Sequence, residues 1–212
     1  YGLTPVVKNL MILMGMVFIL QMLVARWFEI YFGLVPVLVW KKYFLWQLFT
    51  YIFLHGGFSH ILFNLLALWM FGGELENYWG SRKFLFYFFF CGVGAGICTV
   101  IFSPYQFVPT IGASGAIYGL LLAFGWLFPD RQIYIYFLVP IRAKYFVIIF
   151  GLIELFSSIE GTGGGVAHLT HLGGLLFGLF YMAYPMIRQK LRREYYKRKW
   201  SQKGPGSRDY YH

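Results

Sequence analysis

Charge is what this chain has least of: 12% of its 212 residues are charged, about half the roughly 25% of an ordinary soluble domain. With 59% of the residues apolar and 23% aromatic, so little charge excludes a soluble enzyme, because one domain of this length could not hide that much hydrocarbon. The same apolar content excludes a disordered chain. Cysteine is equally scarce. Cys91 and Cys98 lie in one apolar block, match no metal or redox spacing and read as helix packing, so a disulfide scaffold is excluded too. The formal charge of +10 raises nucleic acid as a partner, but the basic residues lie at the ends of the apolar blocks, where lipid headgroups are the plainer partner.

What is present is a series of long apolar blocks separated by short charged or Gly/Pro-containing stretches, the pattern of membrane-spanning helices. Six spans are predicted: the uncharged stretch between Lys8 and Arg26, then 58–78, 84–102, 114–128, 145–159 and 166–187. No small-residue cleavage site follows the first, so it stays as a helix. The stretch from Trp27 to Phe49, broken by Glu29, Pro36 and Lys41-Lys42 and dotted with tryptophans, reads as interfacial. The segment 133–144 alternates like a strand and is expected to lie on the surface as a loop. Of the 18 Lys and Arg residues, fifteen fall on the side of the termini and three, Arg26, Lys41 and Lys42, opposite. That bias makes both termini cytoplasmic. The fold class is therefore an all-α membrane protein, a six-helix bundle over residues 1–190 with a basic cytoplasmic tail over 191–212. The chain begins at Tyr1 rather than methionine, which leaves room for a leader or a further domain.

Polar groups at membrane depth are costly and are functional candidates by default. His60 and Asn64 share a face of the second span, and Ser114 and Tyr118 share a face of the fourth. His168 and His171 lie on the sixth, Glu154 in the fifth and Glu160 at its outer end; Glu76, at the cytoplasmic end of the second, reads as a helix-end network residue. A zinc protease would need a helical HExxH, which is absent. An aspartyl protease would need two buried aspartates, and the only two, Asp130 and Asp209, lie in a loop and in the tail. His55 and His60 of HGGFSH lack a carboxylate or thiol beside them, so no metal is expected there. A serine hydrolase, with a hydroxyl, a base and oxyanion donors, fits the inventory.

Ser114 stands in GASG at the start of the fourth span. At about 1.5 Å per residue, 114–128 covers roughly 22 Å against about 30 Å of hydrocarbon, which sinks the serine in a hydrated pit. Backbone N–H groups of the first turn point into that pit with the positive end of the helix dipole. Gly115 and Gly119 on the fourth span, and Gly174 and Gly178 on the sixth, form G-x-x-x-G pairs that permit close approach. His171 shares the face of the second pair. Taken on the sixth span alone, the favoured reading is generic membrane packing for these glycines and a buried neutral histidine, hydrogen-bonded to backbone, for His171.

From WQLFTYIFLHGGFSHILFN through GASGAIYG to AHLTHLGGLLFG, the chain resembles the rhomboid family of intramembrane serine proteases, in the family's order and roughly its spacing. The resemblance implies a rhomboid-like bundle in which Ser114 is the nucleophile and His171 the general base, without a carboxylate. His60, Asn64 and the Ser114 N–H would hold the oxyanion, Tyr118 would stack on the base, and Gly112 would shape the turn before the nucleophile. His168 is the alternative base, but only His171 is followed by glycines three and seven places on. Glu154 would be protonated or hydrogen-bonded within the bundle. The family often has an arginine after the tryptophan of its first loop, where this chain has Gln47 after Trp46, which puts that loop's polar anchoring in question. No cofactor or metal is implied. The resemblance implies single-span membrane substrates, cut near the outer face, and the lipid bilayer as partners, with no nucleic acid, and a bacterial inner membrane as the expected compartment. GTGGG, 161–165, is a candidate cap over the pit or a plain turn. An inactive relative that binds membrane helices is the alternative, and a solute transporter is disfavoured by the lack of repeated halves.

Overall fold

The computed structural model describes residues 2–24, 27–135, 138–160 and 165–202. Helix α1 (Pro5–Leu23) opens on a proline, which gives up only an N–H that has no partner inside the helix. The next free N–H groups are met by a carboxylate from far along the chain. Val6 donates to the two oxygens of Glu76 at 3.0 and 3.2 Å, Val7 donates at 3.0 Å, and Ser81 Oγ donates at 2.6 Å. A buried anion at the positive end of a helix, with this many donors, pins α1 to the end of the second long helix.

Between α1 and that helix run three short helices, α2 (Trp27–Phe32), α3 (Pro36–Lys42) and α4 (Gln47–Thr50), followed by a 3₁₀ turn at Tyr51–Phe53. None is long enough to span, as the breaks at Pro36 and Lys41-Lys42 predict. Gln47 is fully buried and supplies the anchoring that the missing arginine put in question. Its Nε2 donates to the carbonyls of Ile30 at 2.8 Å and Tyr31 at 3.2 Å, while Oε1 accepts from Val35 N at 3.0 Å. A neutral amide, able to donate and accept at once, holds both arms of the loop.

The second long helix is α5 (Phe58–Ala67), a π turn (Leu68–Gly72) and α6 (Gly73–Trp79) end to end. Gly80, at φ +80°, turns the chain into α7 (Ser81–Phe102). Among the described residues four helices are long and apolar enough to cross a bilayer, and of these α7 is the most enclosed, 61% buried against 17–33% for the others, so the bundle is built around it. The others are α1, Phe58–Trp79 and the stretch Ala167–Lys197 of α10 (Gly165–Gln202). Helix α8 (Ser114–Leu127) is apolar but has 14 residues, about 21 Å of rise. Helix α9 (Ala143–Glu160) carries Lys144, Glu154 and Glu160.

The segment expected as a surface loop is a hairpin. Strands β1 (Gln132–Ile135) and β2 (Val139–Arg142) pair antiparallel, with Ile133 opposite Ile141. Its strand-like alternation had a structural meaning, since β-branched residues alternating with polar or aromatic ones suit a small ribbon lying on a surface. Asp130 steadies its base: Lys144 Nζ at 2.8 Å holds the exposed carboxyl below its usual range, and Arg142 lies at 3.4 Å. The chain divides into two compact units, Tyr1–Leu179 and Phe180–His212. In the second, the described residues are helical and largely exposed.

Candidate active site

The entry to α8 is set by Gly112. Its φ of +124° lies where side chains are disfavoured, and a Cβ there would fall 2.8 Å from Nε2 and Cε1 of His60. Its N–H donates to the Tyr51 carbonyl at 2.9 Å, which fixes the turn against the interfacial loop. Ser114 is then the first helical residue, half-buried, with the partnerless N–H groups of the first turn beside it.

Glycine brings α10 onto α8. A Cβ on Gly174 would sit 1.9 Å from the Gly115 carbonyl oxygen, and one on Gly178 would sit 3.2 Å from Gly119 Cα. Cys91 and Cys98 on α7 fill the remaining space, within 2.5 Å of a Cβ on Gly119 and 2.8 Å of one on Gly173 respectively, so both are packing residues and both are free thiols. Tyr87 Oη donates to the Gly119 carbonyl at 2.7 Å, and Thr99 and Thr170 share a hydrogen bond of 2.7 Å.

At that junction His171 Nε2 lies 2.8 Å from Ser114 Oγ. Tyr118, one turn down α8, stacks on the imidazole with ring centres 4.4 Å apart and planes within 12°. The stack and the serine together leave the ring little freedom. Tyr118 Oη in turn donates to Glu154 on α9. Glu154 is buried, and its other oxygen is 2.5 Å from His168 Nδ1, so His168 pairs with the carboxylate and not with the serine. Glu154 Oε1 also stands 3.0 Å from His171 Nδ1, but to one side of the direction a ring N–H would need, and Nδ1 has no hydrogen-bond partner.

The remaining candidates divide. His60 lies against Gly112 and accepts from Gly56 N at Nδ1, 3.2 Å away. Asn64 is buried, and its amide donates to the His60 carbonyl at 2.7 Å, one turn back along its own helix. Of the cap candidate, 161–165, residues 161–164 lie outside the described residues, as do Arg26 and the end of the tail, while Gly165 opens α10. Sequence reasoning undervalued two groups. Gln47 was legible only as a departure from the family, and Glu154 sits on a different helix from every residue it serves.

A helical bundle with several apolar, membrane-length helices defines a multi-pass membrane protein, and in it a serine and an imidazole meet at the start of a short inner helix. Comparison with known proteins gives the family. The model of the rhomboid domain matches residues 42–188, and the chain belongs to the rhomboid family. It is 38% identical over 142 residues to the rhomboid protease GluP of Bacillus subtilis, covering 65% of this chain and 25% of that protein. YdcA of the same bacterium is 32% identical over 150 residues, 70% of each chain. The rhomboid protease GlpG of Salmonella paratyphi A is 34% identical over 148 residues, 68% of this chain and 49% of that protein. The match thus spans about a quarter of the first relative and about half of the third.

Proposed function

We propose that this chain is an intramembrane serine endopeptidase that cuts single-span membrane proteins near the outer face of the bilayer. The contact between Ser114 Oγ and His171 Nε2, 2.8 Å, carries the reading, since a helix-binding protein has no physical need of a hydroxyl held on a base. The names of the relatives, rhomboid proteases, support it. In this mechanism His171 Nε2 takes the Ser114 proton as Oγ attacks the scissile carbonyl, and later returns it to the leaving amine. The Ser114 N–H, the His60 ring and the second hydrogen of the Asn64 amide, the first being used on the His60 carbonyl, surround the developing oxyanion. Tyr118 acts as a positioning residue: stacked on the base and tied to Glu154, it holds the imidazole for transfer.

Residues 1–190 serve as the membrane domain with six crossings, the shorter α8 and the charged α9 completing the four longer ones. The 191–212 tail is a basic cytoplasmic anchor for anionic lipid, with both termini on the cytoplasmic side of a bacterial inner membrane. A substrate helix hides its carbonyls in hydrogen bonds, so segments with helix-breaking and small residues are favoured. The test reconstitutes the purified chain with a single-span substrate and maps the product ends by mass spectrometry. New termini near the outer membrane surface are expected. A substrate that co-purifies uncut would instead mark an inactive relative.

A further inference from the structure

Among the described residues, one group of metal-ligating side chains comes together: Glu154, His168 and His171, whose ligand atoms all lie within 4.8 Å of one another. The two imidazoles stand three residues apart on one face of α10, and the carboxylate enters from α9. Two imidazoles and a carboxylate are a donor set suited to zinc and its neighbours in the first transition row. His168 is paired with the carboxylate, and the second contact is the telling one. Nδ1 of His171 is buried without a hydrogen-bond partner, although Glu154 Oε1 lies 3.0 Å to its side. Its electron pair, or the proton in its place, makes no aligned hydrogen bond and lies only within ion-pair distance of the carboxylate. The side chain of His168 is 25% exposed and that of His171 18%, so the group is open at the surface of the bundle on the His168 side.

The geometry points to a site for one zinc-class divalent ion on Glu154, His168 and His171, whose occupation switches the Ser114–His171 pair off. Zinc bonds of about 2.0–2.1 Å place tetrahedral ligands about 3.3 Å apart, so the carboxylate contacts of 2.5 Å (Oε2 to His168) and 3.0 Å (Oε1 to His171) must lengthen slightly while the widest separation in the group, within 4.8 Å, closes. Water entering from the exposed side supplies the fourth ligand. The switch follows from counting protons on one ring. A neutral imidazole has one N–H and one electron pair, and catalysis needs that pair on Nε2, facing Ser114. An ion on Nδ1 takes the pair there, so the ring proton moves to Nε2, where it donates to Ser114 Oγ and cannot receive the hydroxyl proton. The ion thus inhibits without touching the serine. This inhibition rests on the protease reading; the binding does not.

The experiment uses untagged full chain carrying Ser114→Ala, which leaves all three ligands in place. Dialysis against Zn²⁺ with metal analysis is expected to give one ion per chain, and Co²⁺ to give the intense visible bands of tetrahedral coordination. Adding His168→Gln should weaken uptake by at least the roughly tenfold that loss of an outer-shell partner costs. With Ser114 restored, Zn²⁺ is expected to stop cleavage and a chelator to restore it, while the His168→Gln enzyme keeps cutting at a Zn²⁺ level that stops the unsubstituted one. Equal uptake with and without His168→Gln, or Co²⁺ spectra that stay octahedral, would overturn the site. Tight uptake with undiminished cleavage would overturn the switch. A chain that binds one zinc through these residues but cuts nothing in metal-free buffer would fault the protease reading alone.

Discussion

Replacing Ser114 or His171 by alanine is expected to lower substrate cleavage by on the order of 10⁴- to 10⁶-fold while the helical fold persists. The two act as one unit, with Oγ and Nε2 2.8 Å apart, so losing either removes the activated nucleophile and the double variant should fall little further. Alanine fills neither space with anything larger, and the surrounding contacts, Tyr87 on Gly119 and Thr99 on Thr170, are untouched. His168→Ala is the discriminating control. It removes a ring that pairs with Glu154 rather than with the serine, so it should lose far less. Initial rates on a labelled single-span substrate, with circular dichroism to confirm helix content, decide it. Greater loss with His168→Ala than with His171→Ala would exchange the base.

Gly174→Ala is expected to cost about 100-fold or more in cleavage, because a displacement of about 1 Å at the reacting atoms has effects of that size. The added methyl would meet the Gly115 carbonyl at 1.9 Å, a backbone atom that cannot rotate away. Helices α8 and α10 must part, and they carry Ser114 and His171 respectively. Overpacking of this kind also lowers stability by about 1–3 kcal/mol. Gly151→Ala on α9 is the matched control, since a Cβ there meets only Leu175 Cδ1, at an ordinary 3.5 Å. Cleavage and thermal unfolding of the two variants, measured side by side, check the account. Full activity in Gly174→Ala would mean that close helix approach does not set the site.

Much of this arrangement was legible in the sequence, for reasons tied to single residues. The bilayer forces spanning segments to be long and apolar, so α1, α7 and α10 appear as blocks, and Pro36 and Lys41-Lys42 mark where the chain cannot span. The glycines at 115, 119, 174 and 178 signal close approach because nothing larger fits there. What the sequence concealed was partnership across helices. Glu154 lies 14 residues before His168 and 36 after Tyr118, and no spacing rule links positions on α8, α9 and α10. The hairpin at 132–142 was hidden differently: four-residue strands are too short for alternation alone to separate from a loop. Gln47 illustrates a third kind of concealment. A departure from a family pattern reads as a loss until the backbone groups it serves, at Ile30, Tyr31 and Val35, are seen.

The most direct measurement is covalent capture of the nucleophile. The detergent-solubilised chain is treated with a fluorophosphonate, and the modified residue is located by peptide mass spectrometry. A single adduct on Ser114, formed slowly or not at all in His171→Ala, is the expected result. An adduct on another serine, or equally fast labelling of Ser114 when His171 is absent, would contradict a hydroxyl activated by that imidazole.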